Sequence, residues 1–201
     1  MPDSKRHVRQ RAILDAACVI ADTEGLDAVT VRATAQRAGV GIGTLRHYFP
    51  TQRDLFDAIV ERRVDAVIDD SVVLDSSAAL DTRISGIVHQ FLPTELDDVG
   101  ALGLWFASYS TALGPTPSVA SQQLLTAAAR RSHQHMRRWL QHFADDGLVA
   151  HDAIEDAAGT AIALTVGLAL EALTPGSPMT IERGRTLLTQ HFTDLMTKAM
   201  Q

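Results

Sequence analysis

Apolar residues recur at intervals of three and four along most of this 201-residue chain, and this periodicity restricts its fold more than any other feature. Such spacing is typical of amphipathic helices, whereas half-buried strands alternate apolar and polar residues. No alternation of that kind persists, and no Asn-Gly or Asp-Gly pair joins two strand-like runs. The pattern therefore predicts an all-α fold.

Glycine and proline residues divide this pattern into segments of helical length. Ile13 and Ile20 lie on one buried face of a first helix, which Gly25 ends. Asp152 and Glu155 have the spacing of an acidic capping box and are expected to open a later helix. After the first helix, further helices are predicted at about 30–37, 42–48, from 52 onward, 77–91, 94–113, 118–145, 152–173 and 180–199.

Composition places the chain among ordinary globular proteins. Apolar residues make up 46% and charged residues 21% of the sequence, which argues against intrinsic disorder. The single cysteine, Cys18, excludes an intrachain disulfide and a cysteine-based zinc site. The longest charge-free apolar run, residues 157–170, is shorter than the ~20 residues that span a bilayer, and the start does not resemble a signal peptide. We therefore expect a soluble, cytoplasmic protein without a membrane partner.

The net charge of -6 is unevenly distributed along the chain. Residues 1–50 have a net charge of +2, whereas the other residues have a net charge of -8. This division indicates that the N-terminal part faces an anionic partner. The basic residues Lys5, Arg6, Arg9 and Arg11 either follow a nucleic-acid backbone or reach into a minor groove, and a frayed, solvated terminus is the alternative.

Two short predicted helices form the sequence pattern of a helix-turn-helix. Thr30 is expected to cap the first helix, Gly39 to supply the turn between them, and the second helix must end before Pro50. This segment resembles the TetR-type (tetracycline-repressor-like) transcriptional regulators. The residues that carry the resemblance are Arg11–Ala17, Gly25, Thr30-Val31, Ala38–Val40 and Gly43–Pro50. Weaker similarity to the BetI-like branch lies in Leu92-Pro93, Trp105–Ala107 and Gly167–Leu170.

The resemblance implies two domains. Residues 1–50 would form an N-terminal three-helix bundle with the helix-turn-helix, which binds DNA. Residues 51–201 would form a C-terminal helical domain for ligand binding and dimerisation. No cofactor or metal is implied, and no set of catalytic residues appears in the sequence, so an enzyme is not expected.

Residues on and around the two short helices are candidates for contact with DNA. Arg46 has the chemistry to bridge guanine O6 and N7, and a phosphate contact or a solvated side chain is its alternative role. Gly41 and Ile42 stand where the family often has polar residues, so base readout is expected to be sparser or more apolar. Gln52 replaces a common lysine. The candidate residues are Thr30, Arg32, Ile42, Gly43, Thr44, Arg46, His47, Tyr48 and Arg53.

The helix from Asp152 is apolar on all sides between residues 157 and 170, so it must be covered on all sides. A second copy of the chain would cover one side, which predicts a homodimer through this helix and the final helix. The alternative is a central helix within a monomeric bundle. The predicted interface residues are Ala161, Leu164, Leu168, Leu188, Phe192 and Leu195.

The resemblance also implies a pocket for a small-molecule effector in the C-terminal domain. For each residue that is a candidate for lining this pocket, the alternative is an ordinary position in the hydrophobic core. The candidates are Phe91, Trp105, Tyr109, His133, Trp139 and Phe143.

These features together predict a ligand-responsive repressor that binds a palindromic operator in double-stranded DNA as a homodimer and is released by a small-molecule effector. An activator, or a regulator whose ligand promotes DNA binding, is the alternative within this class. From another class, the alternative is a helical small-molecule-binding or interaction module that no longer binds DNA specifically. The sequence does not identify the effector.

Overall fold

The computed structural model describes residues 2–65, 68–92, 106 and 109–198. All regular elements in these ranges are helical, which confirms the all-α prediction. Residues 109–113 are also helical, and two short 3-10 turns occur at Leu26–Ala28 and His151–Ala153. The main helices are α1 (Pro2–Thr23), α2 (Val31–Arg37), α3 (Ile42–Tyr48), α4 (Gln52–Asp65), α5 (Leu80–Phe91), α6 (Val119–Asp145), α7 (Ile154–Leu173) and α8 (Ile181–Lys198).

Most of the helix boundaries predicted from glycine, proline and capping residues agree with the structure, and two differ. The α5 helix begins at Leu80 rather than near residue 77, after a series of turns. Residue Ala153 is the N-cap of α7 and makes no side-chain cap hydrogen bond, so the capping box predicted at Asp152 and Glu155 is wrong. The preceding 3-10 turn occupies the position where that cap was expected. Most of the helix predicted at 94–113 lies outside the described residues.

The chain divides into two compact units, which are considered separately. The first unit comprises residues 1–66 and 108–129, and the second comprises residues 67–107 and 130–201. The domain boundary expected after residue 50 falls inside the first unit. The reason is that Leu55, Phe56 and Ile59 of α4 are fully buried in the core of this unit.

The core of the first unit lies among α1, α2, α3 and α4. Ile13 and Ile20 of α1 are buried together with Leu45 of α3 and the α4 residues named above. Arg62 of α4 forms an ion pair with Asp15 of α1, which ties these two helices at the surface. This packing holds the two short helices against two longer ones.

One buried hydroxyl in this core has no hydrogen-bond partner among the described residues. Thr34 of α2 is completely buried, and its Oγ1 atom is unsatisfied. An unsatisfied buried polar group costs stability, so Thr34→Val is expected to raise the free energy of unfolding by about 1 kcal/mol. Urea denaturation measures this change. Thr126→Val, at an exposed hydroxyl on α6, is the control and should bring no gain. Loss of stability in Thr34→Val would contradict the prediction.

The second unit has its own core, built from α5, α7, α8 and the C-terminal part of α6. Trp139 and Phe143 of α6 are completely buried in it, as are Leu188 and Phe192 of α8. The α7 helix packs against α8, and α5 packs against α8 as well. The described aromatic side chains of this unit are therefore mainly core residues.

Four of the six predicted interface residues belong to that core, so their assignment to a protomer surface is wrong. These four are Ala161, Leu168, Leu188 and Phe192, each with at most 7% of its surface exposed. Leu164 and Leu195 are half-buried against the same core. The physical reason is that the side of α7 that carries Ala161 and Leu168 packs into the core of its own protomer.

The opposite side of α7 is exposed and consists mainly of small residues. Ala163, Gly167 and Leu170 are exposed, and Leu170 has 51% of its surface accessible. A β-carbon added at Gly159 or Gly167 would meet no atom within 4 Å, so nothing in the described part of the protomer covers these positions. This set, Gly159, Ala163, Gly167 and Leu170, is called the small-residue face below.

One segment of the described chain is long and apolar enough to cross a membrane by length and composition alone. It is His151–Leu173, with a mean hydropathy of 1.5 in its most apolar window. The sequence expectation counted only the charge-free run and therefore judged the segment too short. Core helices of soluble proteins pass the same test, and one side of α7 lies in the core of the second unit.

The segment that connects α4 to α5 is fixed to the second unit by side-chain hydrogen bonds. Arg83 of α5 is buried and donates from Nε to the carbonyl of Val73, at 3.0 Å, and from Nη1 to Asp146, at 2.8 Å. Asp70 accepts a hydrogen bond from the indole Nε1 of Trp139, at 2.5 Å, and one from Arg138, at 2.6 Å. The connector is therefore held by α5 and α6.

Candidate nucleic-acid interface

The first helix of the candidate interface begins with the predicted cap. Thr30 has an extended backbone, and its side chain accepts a hydrogen bond from the Ala33 N–H at 3.1 Å. This bond satisfies one of the backbone donors left free at the start of α2. The Thr30 side chain is exposed, so the start of α2 is accessible to a phosphate.

The turn between α2 and α3 is fixed by backbone hydrogen bonds. Val40 N–H donates to the Ala35 carbonyl at 3.0 Å, and Gly39 N–H donates to the Gln36 carbonyl at 3.2 Å. This pair of bonds is the Schellman arrangement, which requires a left-handed residue between them. Gly39 supplies it with a φ of 65°, as the sequence predicted.

The α3 helix has one buried side and one open side. Leu45 is completely buried and anchors the helix in the core of the first unit. On the open side, Gly43, Arg46 and His47 are exposed, while Thr44 is half-buried. The rings of His47 and Tyr48 stand nearly perpendicular, with their centres 5.1 Å apart. This open side has the size and chemistry to enter a major groove.

Three arginines around α2 and α3 have exposed side chains and no ion-pair partner among the described residues: Arg32, Arg46 and Arg53. Arg37, in contrast, lies 3.5 Å from the Glu24 carboxylate. Unpaired surface guanidinium groups are suited to phosphates and to guanine edges. The structure therefore leaves the predicted DNA-contacting arginines available.

The basic residues at the start of the chain belong to a helix. The α1 helix begins at Pro2, and Arg6, Arg9 and Arg11 are exposed along its first turns. From Arg6 onward, Ile13 is the first residue of α1 with a buried side chain. The frayed terminus considered above is therefore replaced by a helical extension, and its contact with DNA stays a prediction.

Side-chain hydrogen bonds fix the start of α4. Thr51 and Asp54 cap the helix reciprocally: Thr51 N–H and Oγ1 donate to the Asp54 carboxylate, and Asp54 N–H donates to Thr51 Oγ1. Gln52 Nε2 donates to the Val29 carbonyl at 2.9 Å. Gln52 therefore joins the start of α4 to the segment before α2, which leaves Arg53 as the exposed cation. The Thr-x-x-Asp spacing is the sequence signal of such a cap.

The predicted effector contacts are only partly brought together. Phe91 and Trp139 meet edge to face, with ring centres 5.9 Å apart, and Phe143 lies in the same core. Tyr109 belongs to the first compact unit, and burial raises the pKa of its hydroxyl. His133 is half-buried, and Trp105 lies outside the described residues. The structure shows Trp139 and Phe143 as core residues, and their contact with an effector stays a prediction.

The described residues offer no group of three His, Cys, Asp or Glu side chains that could hold a metal ion. The half-buried His142 lies 3.2 Å from the Ser76 hydroxyl.

Comparison with known families gives two matches that together cover most of the chain. Residues 13–59 match the family described as bacterial regulatory proteins, tetR family. Residues 81–197, more than half of the chain, match the family described as BetI-type transcriptional repressor, C-terminal. The first match contains the complete pair of short helices.

Individual proteins show the same similarity along most of their length. The HTH-type transcriptional regulator BetI of Cronobacter sakazakii is 27% identical over 192 residues, covering 91% of this chain and 88% of that protein. The structure of a TetR transcriptional regulator from Agrobacterium tumefaciens superposes with a TM-score of 0.56, 19% identity and coverage of 96% and 97%. A Saccharomonospora viridis structure that contains choline has a TM-score of 0.55, 20% identity and coverage of 92% and 95%.

Proposed function

Because this chain belongs to the tetR family of bacterial regulatory proteins and has the C-terminal domain of BetI-type transcriptional repressors, we propose that it represses transcription as a homodimer on a palindromic operator. A small-molecule effector releases it from the DNA. The observation that carries the proposal is the open side of α3, where Arg46 and His47 are exposed beyond a turn fixed by backbone bonds.

The residues around α2 and α3 divide into two groups by their chemistry. Thr30, Arg32 and Arg53 contact phosphates, which position the protein on the duplex without reading its sequence. Arg46 reads a guanine by donating to O6 and N7 in the major groove. Thr44, His47 and Tyr48 contact the DNA on either side of Arg46.

The homodimer forms through the small-residue face of α7, together with α8. Small side chains allow two helices to approach closely, and a two-fold axis brings the same face of each copy together. The exposed Leu170 is then covered by the second copy. Dimerisation places the two α3 helices about one turn of DNA apart, roughly 34–36 Å, which requires an operator with two-fold symmetry.

Replacing Ala163 with Arg tests this interface. Two unpaired guanidinium groups would be placed in the contact, so the dissociation constant of the dimer is expected to rise by about 100-fold or more. Sedimentation velocity measures the change. Ala129→Arg, the same substitution at an exposed position of α6, is the control and should leave the dimer intact. Equal dimerisation of both variants would exclude this face.

Effector release requires that the ligand binds one conformation of the dimer better than another. The second compact unit holds the candidate contacts, with Phe91 at the edge of its aromatic core. Choline is a reasonable first probe, since it occupies the related structure from Saccharomonospora viridis. Such a regulator works in the cytoplasm, where its DNA and its effector meet.

The proposal is tested by titrating the protein with the DNA upstream of its own gene at several salt concentrations. A specific regulator binds that DNA more tightly than scrambled DNA, and its affinity falls steeply with salt because phosphate contacts release counterions. Footprinting then shows two protected half-sites related by dyad symmetry. Equal affinity for both DNAs at every salt concentration would favour the alternative, a helical ligand-binding module that has lost specific DNA binding.

A further inference from the structure

An exposed apolar side chain lies at the start of α3. Ile42 has 46% of its surface accessible and is the one large apolar side chain exposed on α2 or α3, both of which are described throughout. Gly41 and Gly43 flank it, and a β-carbon at Gly43 would meet no atom within 4 Å. Ile42 therefore projects from this end of the helix without neighbouring side chains beside it in the sequence.

The same end of α3 has few groups that read bases by hydrogen bonding. No residue from Ala38 to Leu45 is charged, and Thr44 has the only side-chain hydrogen-bonding group in that stretch. Arg46 and His47 follow one helical turn later. Sequence discrimination at the start of α3 must therefore depend mainly on apolar contact.

In the major groove, the C5-methyl group of thymine is the apolar feature that separates A·T from G·C pairs. A branched aliphatic side chain packs favourably on that methyl group. Against a G·C pair, the same side chain would displace water from the cytosine amino group or from guanine O6 without replacing the lost hydrogen bonds. Both effects favour thymine.

We propose that Ile42 determines operator specificity by packing on thymine methyl groups, and so selects an A·T pair in each half-site. The inference rests on the proposed function, because it requires α3 to lie in the major groove. Ile42 thus reads thymine by apolar contact, and Arg46 reads its base by hydrogen bonding one turn further along α3. The two contacts can therefore be tested separately.

Deoxyuridine isolates the methyl contact, because it differs from thymidine only by lacking the C5-methyl group. Once footprinting has located the operator, each thymidine in it is replaced by deoxyuridine at symmetric positions of the two half-sites, and the affinity is measured by fluorescence anisotropy. The protein is expected to lose about fourfold in affinity per methyl group at the contacted position, or roughly 15-fold for both half-sites.

Two variants show which residue makes the contact. Ile42→Ala is expected to bind the thymidine operator more weakly and to be indifferent to deoxyuridine at the position where the unaltered protein is sensitive. Val19→Ala is the control, since Val19 is an exposed β-branched residue of α1 with 40% of its surface accessible. This control should retain the full sensitivity to deoxyuridine. Circular dichroism confirms that both variants fold.

Three results would overturn the inference in different ways. Equal affinity of the unaltered protein for all thymidine and deoxyuridine operators, with specific binding retained, removes the methyl contact and leaves the proposed function standing. Undiminished sensitivity to deoxyuridine in Ile42→Ala assigns the contact to another residue. Equal affinity for operator and scrambled DNA contradicts the proposed function and this inference together.

Discussion

Replacing Arg46 with Ala is expected to weaken binding to the operator by roughly 30-fold to 10⁴-fold while the dimer stays intact. A bidentate contact to guanine contributes about 1–3 kcal/mol of discrimination, and a symmetric dimer makes two such contacts, or about 2–6 kcal/mol in total. The Arg46 side chain is exposed and has no ion-pair partner among the described residues, so its removal should cost little stability. Affinity is measured for operator and scrambled DNA at one salt concentration.

The comparison between the two DNAs separates base reading from phosphate contact. Loss of a base contact lowers affinity for the operator alone, whereas loss of a phosphate contact lowers affinity for both DNAs about equally. Arg137→Ala removes one positive charge from α6, where Arg137 is paired with Glu155 at 3.2 Å, and is the control. A parallel loss of affinity for both DNAs in Arg46→Ala would assign this residue to the backbone.

Replacing Arg83 with Ala is expected to lower the free energy of unfolding by about 2–4 kcal/mol, because it truncates a buried side chain and leaves a carbonyl without its side-chain donor. Only 3% of the Arg83 side chain is exposed, and its guanidinium lies 4.2 Å from the centre of the Phe143 ring. The substitution removes the side-chain donor from the Val73 carbonyl and opens a cavity beside Phe143. The Asp146 carboxylate loses Arg83 and keeps the hydrogen bond from the Ser76 hydroxyl. Urea denaturation followed by circular dichroism measures the loss.

An exposed arginine with a similar ion pair provides the control. Arg138 lies 2.6 Å from the Asp70 carboxylate and has 60% of its side chain exposed. Since exposed ion pairs contribute at most about 1 kcal/mol, Arg138→Ala should cost far less than Arg83→Ala. Similar losses in both variants would show that the burial of Arg83 does not increase its contribution to the free energy of unfolding.

The contribution of Arg83 should also depend on pH. Burial alone raises the pKa of the Asp146 carboxyl, but hydrogen bonds from Arg83 and Ser76 outweigh it, so the pKa lies below its ordinary value. A carboxyl with a lowered pKa stabilises the fold above its ordinary pKa, and this stabilisation is lost as the pH falls through the lowered value. The stability difference between the unaltered protein and Arg83→Ala should therefore shrink in that acidic range.

Local signals in the sequence were sufficient to predict the helix-turn-helix. Thr30, Gly39 and Pro50 each act on the residues beside them, by capping, by a left-handed conformation and by ending a helix, so their effects do not depend on distant packing. The same helix boundaries also determine which side of α3 is open. For this reason the helices around the candidate interface were predicted within a few residues.

Contacts between distant residues were not predictable in this way. The α7 helix is apolar on every side, and periodicity alone does not show which side its own protomer covers. The glycines at 159 and 167 were the available signal, because the protomer leaves space beside them. Arg83 and Asp146 are 63 residues apart, and Asp70 and Trp139 are 69 apart. Pairs at such separations depend on the tertiary structure.

The Schellman turn at Gly39 has a consequence for how regulators with this architecture diversify. Main-chain hydrogen bonds and the buried Leu45 set the direction of α3, so its exposed side chains contribute little to the stability of the fold. Substitutions at positions 42, 46 and 47 can therefore change the DNA sequence that is bound without unfolding the helix-turn-helix. A library randomised at those three positions should yield new operator preferences from correctly folded proteins.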